Sequence, residues 1–70
     1  MKNRLREIRE AKRYTQLKVA LDLNMNQNSI SRYENGTRDL NSETLVAFSK
    51  YYNVSIDYIL YQTDIPNKNN

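Results

Sequence analysis

The sequence predicts an all-α fold, a compact bundle of five short helices. Two observations carry that prediction. Apolar residues recur at three- and four-residue spacings in successive short runs, each opened by an Asn, Ser or Thr able to cap a helix. Strand signals are poor. No alternating apolar–polar run exceeds four residues, and no hairpin flanks the Asn35-Gly36 turn pair.

The first helix is expected over residues 4–12, with Leu5, Ile8 and Ala11 as a narrow apolar stripe. Asn3 can cap it, and Glu7 lies near the positive end of its dipole. Thr15 caps a second helix from Gln16 to Leu23. Val19, Ala20 and Leu23 form its inner face. Leu17 and Leu21, four apart, form another face, read either as a packing edge or as a partner surface. Asn24 tolerates the left-handed conformation that ends helices, Met25 reads as a core plug, and Asn26 caps a third helix. Ile30 and Tyr33 point inward, and Asn35-Gly36 stops the helix. Ser42 begins the fourth, with Leu45, Phe48, Ser49 and Tyr52 on one side, and Asn53-Val54 breaks it. Ser55 caps a short fifth helix carrying Ile56, Ile59 and Leu60. Residues 63–70 have little to bury and read as a flexible tail after a domain over 1–62.

Composition narrows the function. The 70 residues include no Cys, no His and one Gly. Disulfides, thiolate or imidazole metal sites and catalysis by His or Cys are excluded, as are glycine-rich phosphate loops. The acids are scattered over a domain too small for a glycosidase-like cleft, so no enzyme, metal or cofactor is expected. No apolar stretch approaches the twenty residues of a membrane span, and the basic start lacks the apolar core of a signal peptide. The expected location is the cytoplasm.

The formal charge of +3 hides an asymmetry. Residues 1–38 hold nine basic and four acidic groups, whereas residues 39–70 hold two basic and four acidic ones. A single-signed end attracts polyanions.

The second and third helices, joined by about three residues, form a helix-turn-helix signal. Gln27 and Asn28 can bond the N6 and N7 edge of adenine, Arg32 suits guanine or a phosphate, and small Ser31 permits close approach; together they are the expected base-reading residues. Gln16 can meet a phosphate at the start of the second helix, beside Lys18. Asn35, Thr37 and Arg38 follow the reading helix, where they can hold phosphates, and Asp39 is expected to turn away or order the loop.

The run Thr15-Gln16-x-x-Val19-Ala20-x-x-Leu23-Asn24-Met25-Asn26-Gln27-x-x-Ile30-Ser31-Arg32-Tyr33-Glu34-Asn35-Gly36 resembles the helix-turn-helix of the Cro/C1-type (XRE-like) repressors. The resemblance extends over about residues 3–61. It implies a lambda-repressor-like domain that binds double-stranded DNA as a repressor of phage, mobile-element or bacterial operons. An antitoxin of the same fold, with a protein toxin as partner, is the alternative. It also implies an ion pair between Arg9 and Glu34, structural rather than DNA-contacting. Arg13 and Asn24 stand where the family usually has Gly, Tyr61 where a closing Gly is frequent, and Leu40 where Pro is common. Arg13 adds a positive charge near the DNA backbone path. Family members generally bind pseudo-palindromic operators as two-fold dimers, and a homodimer is expected here. Tyr58, Tyr61 and Ile65 are its candidate contacts, unless the two tyrosines only cover the core.

Overall fold

A computed structural model describes residues 2–67. Five helices follow in order: α1 (Leu5–Ala11), α2 (Gln16–Leu23), α3 (Gln27–Asn35), α4 (Ser42–Tyr52) and α5 (Ile56–Ile59). The described residues contain no strand. None of their helices is long and apolar enough to cross a membrane.

Four of the helices start by one device. The side-chain oxygens of Thr15, Asn26, Asn41 and Ser55 each accept the backbone N–H three residues on, at Lys18, Ser29, Thr44 and Tyr58. Each satisfies one of the donors that a helix start leaves without an intrahelical partner. Helix α1 differs. Its N-terminal flanking residue is Arg4, and the Asn3 side chain accepts instead from Leu5 N at 3.0 Å. The Asn3 amide also donates to the Tyr33 carbonyl of α3 at 2.9 Å, so this residue ties the chain start to the third helix.

The helix ends share a second device. Arg13, Asn24, Asn53 and Tyr61 all have φ between 55° and 62°. In each case the next residue's N–H reaches back five positions: Tyr14 to Arg9, Met25 to Ala20, Val54 to Ser49 and Gln62 to Asp57. This is the Schellman closure, which satisfies the last carbonyls of a helix and normally uses Gly at the left-handed position. Asn takes that conformation at little cost. Arg and Tyr carry the Cβ clash in full. The chain's one Gly, Gly36 at φ 81°, closes α3.

Leu5, Ile8, Val19, Ala20, Ile30, Leu40, Phe48, Tyr52, Val54 and Ile59 form the core. Met25 packs against it from a partly buried position. Ala11, expected on the stripe of α1, is exposed, because the helix ends there and the chain turns at Arg13. Leu40 is buried in the loop before α4, where it fills the core as an aliphatic side chain rather than a turn residue. Aromatic rings pack along α4 and join it to α3 and to the loop before α2. Tyr33 meets Phe48 edge-on at 6.0 Å, Phe48 stacks on Tyr52 at 6.1 Å, and Tyr51 contacts both Tyr52 and Tyr14.

A second fastening joins the two ends of the domain. The Arg4 guanidinium lies over the rings of Tyr58 (4.4 Å) and Tyr61 (4.2 Å). It donates to the carbonyls of Tyr58 and Thr63 and to Asp64 Oδ1. The Arg4 N–H donates to the Ile59 carbonyl at 2.8 Å, and Ser55 N–H to the Pro66 carbonyl at 3.0 Å. Residues 63–67 of the expected tail thus lie back along the domain, because Arg4 and the Ser55 N–H give their backbone carbonyls partners. The remainder of that expected tail, residues 68–70, and Met1 lie outside the described residues.

Three substitutions test these positions. Arg13→Gly relieves the left-handed strain and makes no lost side-chain bond, so it stabilises by about 0.5–1 kcal/mol in thermal or urea unfolding. Tyr61→Gly, by contrast, also removes a ring from Arg4 and brings no such gain. The Tyr52 hydroxyl is buried with no hydrogen bond among the described residues, and burial raises its pKa above the usual phenol value. Tyr52→Phe is therefore expected to leave the unfolding free energy unchanged or raise it by up to about 1 kcal/mol.

Candidate nucleic-acid interface

The position of α3 is set from below by one carboxylate. Glu34 projects into the junction of α1, α2 and α3, and its side chain is 1% exposed. Arg9 Nε donates to Glu34 Oε2 at 2.7 Å and Arg9 Nη2 to Oε1 at 3.1 Å, a two-pronged pair. Arg9 Nη1 donates to the Tyr14 carbonyl at 2.9 Å, so both sides of the guanidinium are used. Gln16 Nε2 donates to Glu34 Oε1 at 3.1 Å, and Arg6 approaches the same oxygen at 3.6 Å. The Glu34 hydrogen bond is the largest cause raising the pKa of Arg9 above its ordinary value, so the pair stays ionised on the cationic side.

With Glu34 turned inward, helical geometry turns Asn28 and Arg32 outward, while Gln27, seven residues before Glu34 and so on nearly the same face, is exposed in the first turn of the helix. All three are exposed, and none forms a side-chain hydrogen bond with the described residues. Ser31 is half-buried between them. The helix is nine residues long, about 13 Å at 1.5 Å per residue. An α-helix, about 10–12 Å across with its side chains, fits a major groove about 12 Å wide.

The flanking residues are arranged less freely. Asn35 Oδ1 accepts from both the N–H and the hydroxyl of Thr37, which fixes the turn after α3. Arg38 lies over the Tyr33 ring at 5.6 Å and donates to Ser29 Oγ at 3.1 Å. Its charge is thereby held against α3 rather than trailing in solvent. Arg13 is exposed at the α1–α2 corner. Gln16 is half-buried, with one amide N–H on Glu34 and a second left to donate. Lys18 is bonded to Asp22 at 2.9 Å and lies over Tyr14 at 4.8 Å. Of the candidate pairing residues, Tyr58 is partly buried against the core, while Tyr61 and Ile65 are 40% and 63% exposed. Leu17 and Leu21 stand exposed rather than as a packing edge.

Sequence reasoning missed three participants. Apart from its contact with Glu7 three residues on, the partners of Arg4 lie more than fifty residues away and leave no local signal. Tyr51 and Ser29 are equally invisible, each acting on a residue of another segment. The Lys18–Asp22 contact was legible in principle, as opposite charges four apart on a helix.

This fold, with an outward polar helix braced by the helix before it, is that of a helix-turn-helix DNA-binding domain. The helix-turn-helix family matches residues 5–59. The chain belongs to that family, in its Cro/C1-type (XRE-like) branch. It is 42% identical over 66 residues to the HTH-type transcriptional regulator ImmR of Bacillus subtilis (strain 168), covering 94% of this chain and 52% of that protein. It is 35% identical over 63 residues to the uncharacterised HTH-type transcriptional regulator YobD of the same strain, covering 90% of this chain and 56% of that one. The chain thus spans about half the length of these curated relatives.

The bracing carboxylate makes a specific prediction. Glu34→Gln leaves Arg9 without its counter-charge and is expected to cost about 3–5 kcal/mol by equilibrium denaturation. Replacing both partners by apolar residues of similar volume (Arg9→Met with Glu34→Leu) is expected to cost much less than either change alone.

Proposed function

We propose that this domain binds double-stranded DNA in a sequence-specific manner as a cytoplasmic transcriptional regulator, acting as a repressor. The observation that carries this reading is the state of α3. Two amides and a guanidinium stand exposed and unengaged along its first two turns, on a helix whose last turn is locked to α1 by a buried ion pair. Preorganised donors and acceptors on a rigid helix suit base-edge recognition.

In this reading α3 enters the major groove. Gln27 and Asn28 read adenine edges, Arg32 reads guanine, and Ser31 permits close approach. Arg13, Gln16 and Lys18 on one side, and Asn35, Thr37 and Arg38 on the other, meet the phosphate backbone. Two copies pair through Tyr58, Tyr61 and Ile65 and place their reading helices about 34 Å apart on a pseudo-palindromic operator.

Selection of bound sequences from a random duplex pool tests this directly. A dyad-symmetric consensus is expected; recovery of no consensus would sink specific readout. With the selected duplex, Gln27→Ala or Asn28→Ala is expected to cost about 1–3 kcal/mol of binding and to leave a scrambled duplex nearly unaffected. Arg38→Gln is expected to weaken binding to both duplexes and to flatten the slope of log affinity against log salt by about 0.9.

A further inference from the structure

Lys18 differs from the other cations proposed to meet phosphate. Among the described residues Arg13 forms no side-chain hydrogen bond, and Arg38 has only a neutral hydroxyl and a ring for side-chain partners. The Lys18 ammonium instead sits in a small built holder. Asp22 Oδ2 lies 2.9 Å from its Nζ, and the face of Tyr14 lies 4.8 Å from it. The Asp22 carboxylate is itself fixed from outside its helix, because the Tyr51 hydroxyl of α4 donates to the same oxygen. The rings of Tyr14 and Tyr51 contact each other and close the arrangement. The Tyr51 hydrogen bond first, and the Lys18 one second, hold the Asp22 carboxyl below its ordinary pKa, so it stays charged.

Direction matters as much as distance. Helical side chains lean toward the N-terminus of their helix. Lys18 is the third residue of α2, so its free side chain leans toward the end of the helix that meets DNA in the reading above. Its partner lies one turn the other way. A cation placed four residues before an anion is the less favourable order for a helical pair. Both side chains remain largely accessible, at 49% and 39% exposure, so the contact is weak enough to be exchanged.

We propose that Asp22 is an affinity-setting residue: it competes with nucleic-acid phosphate for the Lys18 ammonium and so lowers the domain's affinity for DNA of any sequence. The proposal rests on the DNA-binding reading. A second helix, α4, takes part, since Tyr51 prevents the carboxylate from swinging out of the way.

The test is a double-mutant cycle with the selected and scrambled duplexes, at salt from about 0.05 to 0.3 M. Asp22→Asn is expected to tighten binding to both duplexes. One fully engaged phosphate contact adds about 0.9 to the salt slope, or about fivefold in affinity at 0.15 M salt. Lys18→Gln is therefore expected to cost about fivefold in the Asp22→Asn background and no more than about twofold in the wild type. An equal cost in both backgrounds would show that Asp22 acts only through net charge and would overturn the proposal. So would an Asp22→Asn variant that binds no tighter than the wild type. Circular dichroism of each variant confirms the helical fold before titration. A wild-type domain that binds neither duplex overturns the DNA-binding reading itself, an outcome separate from the other two.

Discussion

A carboxylate in a protein interior is costly unless its charge and its lone pairs are all answered. Glu34 is such a carboxylate, and three helices are arranged around it. Arg9 from α1 supplies the charge in a forked geometry, Gln16 from α2 supplies a neutral donor, and Arg6 stands at the rim. Since each donor comes from a defined position on its helix, the bonds fix rotation as well as distance. Apolar contacts are non-directional, whereas the forked pair is directional. Orientation of the exposed face of α3 is thus a consequence of what its inner face binds.

That division of labour explains why a domain this small reads as two electrostatic halves. Among the acids of its basic half, Glu34, Glu7 and Asp22 are each engaged by a cation: Glu34 by Arg9, Glu7 by Arg4 and Asp22 by Lys18. The cations left over lie around the α1–α2 corner and along α3. Local neutralisation inside the basic half is therefore what shapes its outer field, more than the overall charge of +3.

Much of this was legible in the order of residues. Thr15, Asn26 and Ser55 announced their helices because capping is a three-residue affair, decided by what stands beside it. Asn24 and Asn53 announced the ends of α2 and α4 for the same reason. Arg13 and Tyr61 did not announce theirs, since nothing about either side chain favours a left-handed backbone; only the likeness to a family with Gly there marked the corners. The Arg9–Glu34 link came through the same likeness. Ala11 was read one residue too far inside its helix, because periodicity does not show where the chain turns away. Contacts between distant segments stayed hidden. Arg4 looked like one more surface cation until the fold laid two tyrosine rings against it, and Lys18 looked free until Tyr51 steadied its partner. Such residues are defined by neighbours that a linear pattern does not bring together.

The Arg4 fastening has a further meaning for the topology of the chain. It makes residues 4 and 64 spatial neighbours, so the backbone path is nearly a closed ring. The order in which the helices are strung is then separable from how they pack. A circularly permuted chain, joined across this junction and opened at the loop before α4, would keep α1, α2 and α3 contiguous around Glu34. The helix-turn-helix and its brace behave in that sense as one module, with α4 and α5 a buttress that could be attached from either side.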